Sequence, residues 1–369
     1  MINSRERRLA QWPDPEQVID SLKDDIKLTL SDIANELPDD LVLPAVREKR
    51  DRVRTFTALN AAHQHALRIP DYDLMRDRYV ILSDTHKGAR KRGSDEFKQN
   101  EHIYCDALDY YLRHDYRLIL NGDVEEGWKA SYDAILAAYA DTAYKRERAF
   151  ADRGDEYYIR TYGNHDVDWA DPTLVEKYLN PFFERQIQVH PAVMLGDKIF
   201  ITHGHQGDFQ SDRLIWLARR VVRYLWNPLQ RLFAIQMQRA AVNGWIRTRR
   251  DQLLSAWAKA QHTLIIAGHT HRPILQLDEH PGTEIPTPDN LENLDPDARL
   301  HYVNDGCCVH KRAITGVEID RGEIRLIRWQ DRANNTLARL TRLAERSIKQ
   351  TAERIVFQQN DLGALLARL

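Results

Sequence analysis

The chain has 369 residues, with 53 Lys and Arg against 55 Asp and Glu and a formal net charge of −2. That length allows one large domain with extensions or two ordinary ones, and the near-neutral balance excludes a molecule that binds nucleic acid through its overall charge. Its three cysteines, Cys105, Cys307 and Cys308, form no C-x-x-C pair, which excludes a zinc ribbon or a disulfide framework and suits a reducing compartment. The opening "MINSRERRLAQW" lacks the apolar centre of a signal peptide, and no apolar run approaches the length of a membrane span. The expected location is the cytoplasm.

Residues 1–76 read as a helical N-terminal extension, because "DPEQVIDSLKDDIKL" and "VREKRDRVRTFTALNAAHQHAL" carry apolar residues at helical spacing. From Arg78 the texture changes. "RYVILSD", "YRLILNGD", "EYYIRTYGN", "KIFITHG" and "HTLIIAGH" are short β-rich runs that each end in a polar turn. Helical stretches at 95–113, 128–150 and 171–180 separate them, so 77–330 is expected to be an α/β sheet domain. Residues 209–260 read as a helical insertion and 277–298 as an acidic, proline-containing loop. "LHYVNDGCCV" and "ITGVEIDRGEIRLIRW" add late strands, the second a hairpin across Asp320–Gly322. Residues 331–369 read as one amphipathic helix, with Leu337, Leu340, Ala344, Ile348 and Ala352 on a face suited to a homo-oligomer.

Chemistry-bearing groups recur where the β runs end. Asp84 and His86 follow "YVIL", and Asp123 follows "LILNG". Asn164 and His165 follow "YIRTYG", His203 and His205 follow "IFIT", and His269 and His271 follow "IIAG". An α/β sheet places ligands beyond the carboxyl ends of its strands, so five strand ends would deliver carboxylates, imidazoles and one amide to one rim. A D-x-H pair alone is ordinarily a solvated turn; five such groups in order, each after a β run, are not a chance pattern.

D-x-H, GD, GNHD, H-x-H and GHTH in this order resemble the calcineurin-like metallophosphoesterases, over roughly residues 77–330. The later "YVNDGCC" is similar to that family's Asn-x-Gly-Ser strand end, with Cys307 where Ser is common. The resemblance implies a four-layer αββα sandwich and two divalent metal ions. The first would be held by Asp84, His86 and His271, the second by Asn164, His203 and His269, with Asp123 bridging. Imidazole and oxygen donors suit Mn first, with Fe, Zn or Co as alternatives. The family reaction is attack of a metal-bound hydroxide on phosphorus. His165 would then protonate the leaving oxygen, and Glu126, three residues after Asp123, would orient it. His203 is taken as the ligand of its H-x-H pair, which leaves His205 facing substrate.

The insertion bears on the substrate. From Ser211 to Ala260 there are ten Lys or Arg, two Asp and the tryptophans Trp216, Trp226, Trp245 and Trp257. "DRLIWLARRVVRYLW" interleaves Leu214, Leu217, Val221 and Leu225 with Arg219, Arg220 and Arg223, a basic amphipathic pattern. Its apolar face is expected either to pack on the core or a partner subunit, or to belong to a cap for a large anionic, partly apolar substrate that permits peripheral membrane contact. "GDVEEGW", "GHTHRP" and a helical insertion at this point resemble the UDP-2,3-diacylglucosamine diphosphatases. His165, where those enzymes have Arg, and "THGHQGD", where they have His-Gly-Asp, depart from that pattern. The expected function is hydrolysis of a phosphoester or pyrophosphate. The alternatives are a nuclease or phosphodiesterase using the basic insertion as its binding surface, a protein phosphatase, and a non-catalytic metal-binding scaffold. The acidic loop and neutral overall charge count against nucleic acid.

Overall fold

The structure is a computed structural model that describes residues 44–91, 95–207, 244–275, 300–332 and 352–369. The chain divides into two units, Met1–Arg54 and Thr55–Leu369. Only the first part of helix α1 (Pro44–Gln64) is described in the smaller unit.

The larger unit is built on two sheets. One has seven strands in the order β13-β12-β11-β2-β3-β4-β5 and the other six in the order β1-β6-β7-β8-β10-β9, with β9 the short edge strand Ile274–Leu275. In the first, β2 (Arg78–Leu82), β3 (Arg117–Asn121), β4 (Tyr158–Thr161) and β5 (Val189–His190) run parallel. In the second, β7 (Ile199–Ile201), β8 (Leu264–Ala267) and β10 (Tyr302–Asn304) run parallel. These parallel strands are almost continuously apolar because both of their faces are buried.

Alternate side chains show the layering. Tyr79, Ile81, Ile119 and Ile159 face Ile199, Ile201, Leu264 and Ile266 in a core between the sheets. Val80, Leu82, Leu118 and Leu120 point the other way. They meet Ile103, Ala107, Leu108 and Tyr111 on helix α2 (Glu101–Arg113) and Leu136 and Tyr139 on α3 (Tyr132–Tyr139). Behind the six-stranded sheet, Phe200, Ile265 and Ala267 pack on Leu254, Trp257 and Ala258 of a later helix (Gly244–Ala260) and on Leu59 and Ala62 of α1. The result is helix, sheet, sheet, helix, as the four-layer sandwich requires. Among the described residues, no helix is long and apolar enough to cross a membrane.

The expected hairpin forms: β11 (Ala313–Asp320) pairs antiparallel with β12 (Glu323–Asp331). Arg321 and Gly322 turn the chain with φ of +51° and +87°, the left-handed pair that a two-residue hairpin turn demands.

Both expected boundaries of the sheet domain need correction. Leu67–Ile69, placed by sequence in a helical extension ending at residue 76, is strand β1 and pairs with β6 (Val193–Leu195). The tail is not one helix over 331–369. Ala352–Asp361 is strand β13, which pairs along β12, and only Leu362–Arg368 is helical. The run Ile355-Val356-Phe357 suits a pleated surface, and the ladder of β12 supplies its hydrogen bonds. The helical spacing that ended on Ala352 was therefore misleading, and its other positions, 337–348, lie outside the described residues. The acidic loop 277–298 also lies outside them.

At the end of the sheet away from the motif loops, Asp320 ties three strands together. Its carboxylate accepts from Arg78 Nε (2.7 Å), Arg325 Nη1 (2.9 Å) and the Tyr116 hydroxyl (3.0 Å). Burial works against its charge, but these donors outweigh it and hold the pKa at about 2. A depressed carboxylate adds stability above its unfolded pKa and loses it as pH falls toward the folded value. Asp320→Asn should therefore lower stability at pH 7 by about 1–2 kcal/mol, a figure reduced for the partly exposed arginines. The gap from wild type should shrink between about pH 4 and 2, as measured by urea unfolding at several pH values.

Candidate metal centre

Six parallel strands of the two sheets end at one rim. Beyond β2 come Asp84 and His86, beyond β3 Asp123 and Glu126, and beyond β4 Asn164, His165 and Asp166. Beyond β7 come His203 and His205, beyond β8 His269 and His271, and beyond β10 Asp305 and Cys307. Three sets each bring one donor atom per residue to within 4.8 Å of one another: Asp84, His86 and His271; His86, Asp123 and His165; Asp123, His203 and His269.

The backbone here is held in an unusual state. Asp84, His86, Asp123, His269 and His271 all have positive φ, between +45° and +64°. Each such residue carries strain of order 1–3 kcal/mol. Sharp left-handed corners let alternate residues of a short turn face the same rim.

Glycines allow the strand ends to come this close. A Cβ on Gly163 would collide with the Asp123 carboxylate and lie 2.7 Å from the Asp123 amide nitrogen. A Cβ on Gly268 would collide with the Ser83 hydroxyl and lie 2.6 Å from Asp84 Oδ2. The glycines of "GNHD" and "GHTH" are thus required by a neighbouring loop. The aspartate that closes "GNHD" is equally committed. Asp166 accepts from the amides of Gly163 (2.7 Å), Val124 (2.7 Å) and Asp123 (3.2 Å), so one carboxylate joins the β3 and β4 loops. The His165 amide in turn donates to Asp123 Oδ1 (2.8 Å).

The electrostatics are those of carboxylates and imidazoles forced together. Burial opposes ionisation of Asp84 and Asp123, yet the adjacent histidines hold both well below the usual carboxylate range. Burial likewise opposes a charged His203, but Asp123 and Asp84 push its pKa up to about 9. His271 reaches about 10 through Cys307 and Asp84, against burial. Burial raises the Cys307 thiol, but His271 dominates and brings it down to about 6. His205 is pushed well down by burial and by His203 and His269. Asp305, raised by burial and by Asp84, shares the Ser83 hydroxyl with Asp84 at 2.6 and 2.5 Å. One hydroxyl proton cannot serve two carboxylates, so a neutral Asp305 completes this chain of hydrogen bonds.

Among the buried rim atoms without a hydrogen-bond partner are His203 Nε2, which faces Asp123 Oδ2 at 3.2 Å, and Asn164 Oδ1. His203 Nδ1 donates to the Asn121 carbonyl at 2.9 Å, so Nε2 is the nitrogen that a cation would take in place of its proton. Buried polar atoms are almost always paired, and these two are good donors to a cation. The donor set therefore fits divalent metal ions on the structure's own terms.

Glu126 Oε1 lies 2.8 Å from His165 Nδ1, the contact expected from sequence. Its other oxygen faces His86 Nδ1 (3.4 Å) and Lys129 Nζ (3.1 Å). Trp128, unassigned a role by sequence, stacks on His165 with ring centroids 3.8 Å apart and planes 24° apart. His205 is buried, 5.4 Å from His203 between ring centroids, and belongs to none of the three sets. Arg219, Arg220 and Arg223 lie outside the described residues.

A buried cluster of metal-binding side chains at the shared rim of a two-sheet sandwich defines the class: a metal-dependent phosphoesterase fold. Residues 78–273, over half the chain, match the Calcineurin-like phosphoesterase family, and the chain belongs to it. The comparison with curated proteins finds no match to the chain.

The close approach at Gly163 can be tested directly. Gly163→Ala should displace the Asp123 carboxylate and weaken divalent-cation uptake by more than about tenfold, the scale of losses around metal ligands. Unfolding should remain cooperative. Mn²⁺ titration of the stripped protein alongside a thermal melt checks this.

Proposed function

We propose that the protein hydrolyses a phosphoester or diphosphate bond with two divalent cations. One is held by Asp84, His86, His271 and Asp123, the other by Asp123, Asn164, His203 and His269. The observation that carries this reading is a run of overlapping donor sets, in which His86 joins the Asp84–His271 set to one containing Asp123 and Asp123 joins that set to His203 and His269, next to the buried Asn164 Oδ1 that has no hydrogen-bond partner. Asn164 offers an oxygen without adding a negative charge to a site that must admit phosphate. Imidazole and oxygen donors favour Mn²⁺, with Fe, Zn or Co as alternatives. When bound, such ions polarise a phosphoryl oxygen and lower the pKa of a water molecule.

The chain's own residues do the rest. Glu126 accepts from His165 Nδ1, which fixes the tautomer and directs Nε2 away from the carboxylate. Trp128 limits rotation of the ring by stacking on it. His165 Nε2 then delivers a proton to the departing oxygen of the ester, a contribution worth ~10²–10⁴-fold in rate. The basic composition of 211–260 supports a substrate with anionic groups beyond the one cleaved. A lipid-linked nucleotide diphosphate is one member of that class.

Two experiments test this. Asp123→Asn should lose affinity for both ions, because one carboxylate serves both. Elemental analysis that finds two ions per chain in that variant refutes the assignment. His165→Ala should slow hydrolysis of alkyl phosphates far more than of nitrophenyl phosphates, since nitrophenolate departs without a proton. Equal losses on the two substrates would place His165 in phosphate binding instead. The same assays, run on bis-esters, nucleotide diphosphate conjugates and single-stranded DNA, separate the phosphoesterase from a nuclease. Metal uptake with no turnover on any of them would leave a scaffold.

A further inference from the structure

The two loops that carry four histidines of the rim are both held from one turn of a single helix, α4 (Gly244–Ala260). Arg250 is buried on that helix. Its Nε donates to the Gly204 carbonyl at 2.7 Å, its Nη2 to the Gln206 carbonyl, and its Nη1 to the Thr55 hydroxyl at 3.1 Å. Gly204 lies between His203 and His205, so this guanidinium grips the β7 loop on either side of His205. Asp251, the next residue, accepts from the Thr270 hydroxyl at 3.0 Å and the Tyr302 hydroxyl at 2.6 Å. Thr270 lies between His269 and His271. Arg272, after His271, reaches Thr248 Oγ1 at 2.8 Å and Asp251 Oδ2 at 3.3 Å. Between the loops themselves, the Gly268 amide donates to the His203 carbonyl at 3.0 Å.

Such bracing has a physical purpose. His269 and His271 sit at φ of +64° and +58°, and strained residues persist only where their surroundings over-determine them. The β7 and β8 loops have few side chains of their own with which to do this. A rigid helix crossing behind both loops fixes their spacing without entering the site. The guanidinium suits the task because its planar fork can satisfy two carbonyls at once, which a lysine cannot.

We propose that the Thr248–Asp251 turn is a positioning device for the metal-binding histidines. Arg250 sets His203, and Asp251 sets His269 and His271. This rests on the two-ion reading given above. It implies an asymmetry that a general packing role would not produce. Arg250 bonds the loop of the second ion, whereas Thr270, the partner of Asp251, stands between a ligand of each.

The test is a stepwise Mn²⁺ titration of stripped wild type, Arg250→Met, Arg250→Lys and Asp251→Ala, with hydrogen exchange on the metal-free proteins. Arg250→Met should raise the dissociation constant of one equivalent about 10–100-fold, the usual effect of losing a support behind a ligand, and leave the other within about twofold. Arg250→Lys should fall between. Asp251→Ala should weaken both equivalents. In metal-free Arg250→Met, amides 203–207 should exchange faster while 84–87 do not change. Unaltered constants in Arg250→Met, or equal weakening of both with loss of protection throughout, overturn the proposal while a wild type that binds two ions upholds the metal reading. A wild type that takes up no ion overturns both. Should Arg250→Met fail to fold, the same comparison in Arg250→Lys decides.

Discussion

The arrangement of this rim depends on one buried carboxylate that binds no candidate ligand side chain. Asp166 collects amides from both the β3 and β4 loops, and that contact brings Gly163 against Asp123. Burial and the neighbouring Asp123 and Glu125 push its pKa up to about 6. The amides that it accepts oppose this, yet like charges still crowd one another around it. Such crowding is unfavourable unless cations offset it. The fold thus holds open a cluster of repelling carboxylates and strained histidines whose natural counterweight is divalent metal.

Beneath that cluster, the structure commits further charge to rigidity. Lys87, next in sequence to His86, is fully buried against Glu147 at 2.7 Å. Glu125 and Arg160 form a second buried pair at 2.5 Å, and the Trp169 indole donates to Glu125 at 2.8 Å. Replacing a buried pair with apolar groups can be neutral, but removing one member costs about 3–5 kcal/mol. These pairs tie the β2 loop to the helix Ala143–Ala151 and the β3 loop to strand β4 and to Trp169 beyond it, in a way that resists small displacements. A site that needs its donors fixed to within a fraction of an ångström benefits from that stiffness.

Much of this was legible in the sequence because the chemistry is local to strand ends. Asp84, His86, Asp123, Asn164, His203, His269 and His271 each directly follow a β run, so the alternation of β runs and polar turns brought them to one rim without any long-range information. Glu126 was accessible in the same way, three residues from Asp123. Trp128 stood in the quoted "GDVEEGW", but nothing in a one-dimensional pattern says that an indole will stack on a histidine 37 positions later. Arg250 and Asp251 were harder still. Their partners lie 46 and 19 residues away, and on a helix they look like ordinary surface charge. The tail failed for a different reason: Ala352–Asp361 takes its hydrogen bonds from β12, a pairing that no local spacing announces.

The bonds of Arg250 also bear on how substrate reaches the metals. Gln206, two residues before the segment 208–243, is bonded to Arg250, six residues after the described chain resumes at Gly244. Six helical residues span about 9 Å, so both ends of the insertion are anchored close to the His203 loop. Before metal is bound, that rim is lined with Asp84, Asp123 and Glu126. A phosphate approaching those carboxylates alone would be repelled. Cations at the rim remove that repulsion, and further positive charge acts on an approaching anion over about a Debye length, roughly 8 Å at physiological salt. Cleavage needs only the first of these. Preference for a substrate with further anionic groups needs the second, so the two can diverge among proteins that share the rim and differ in the insertion.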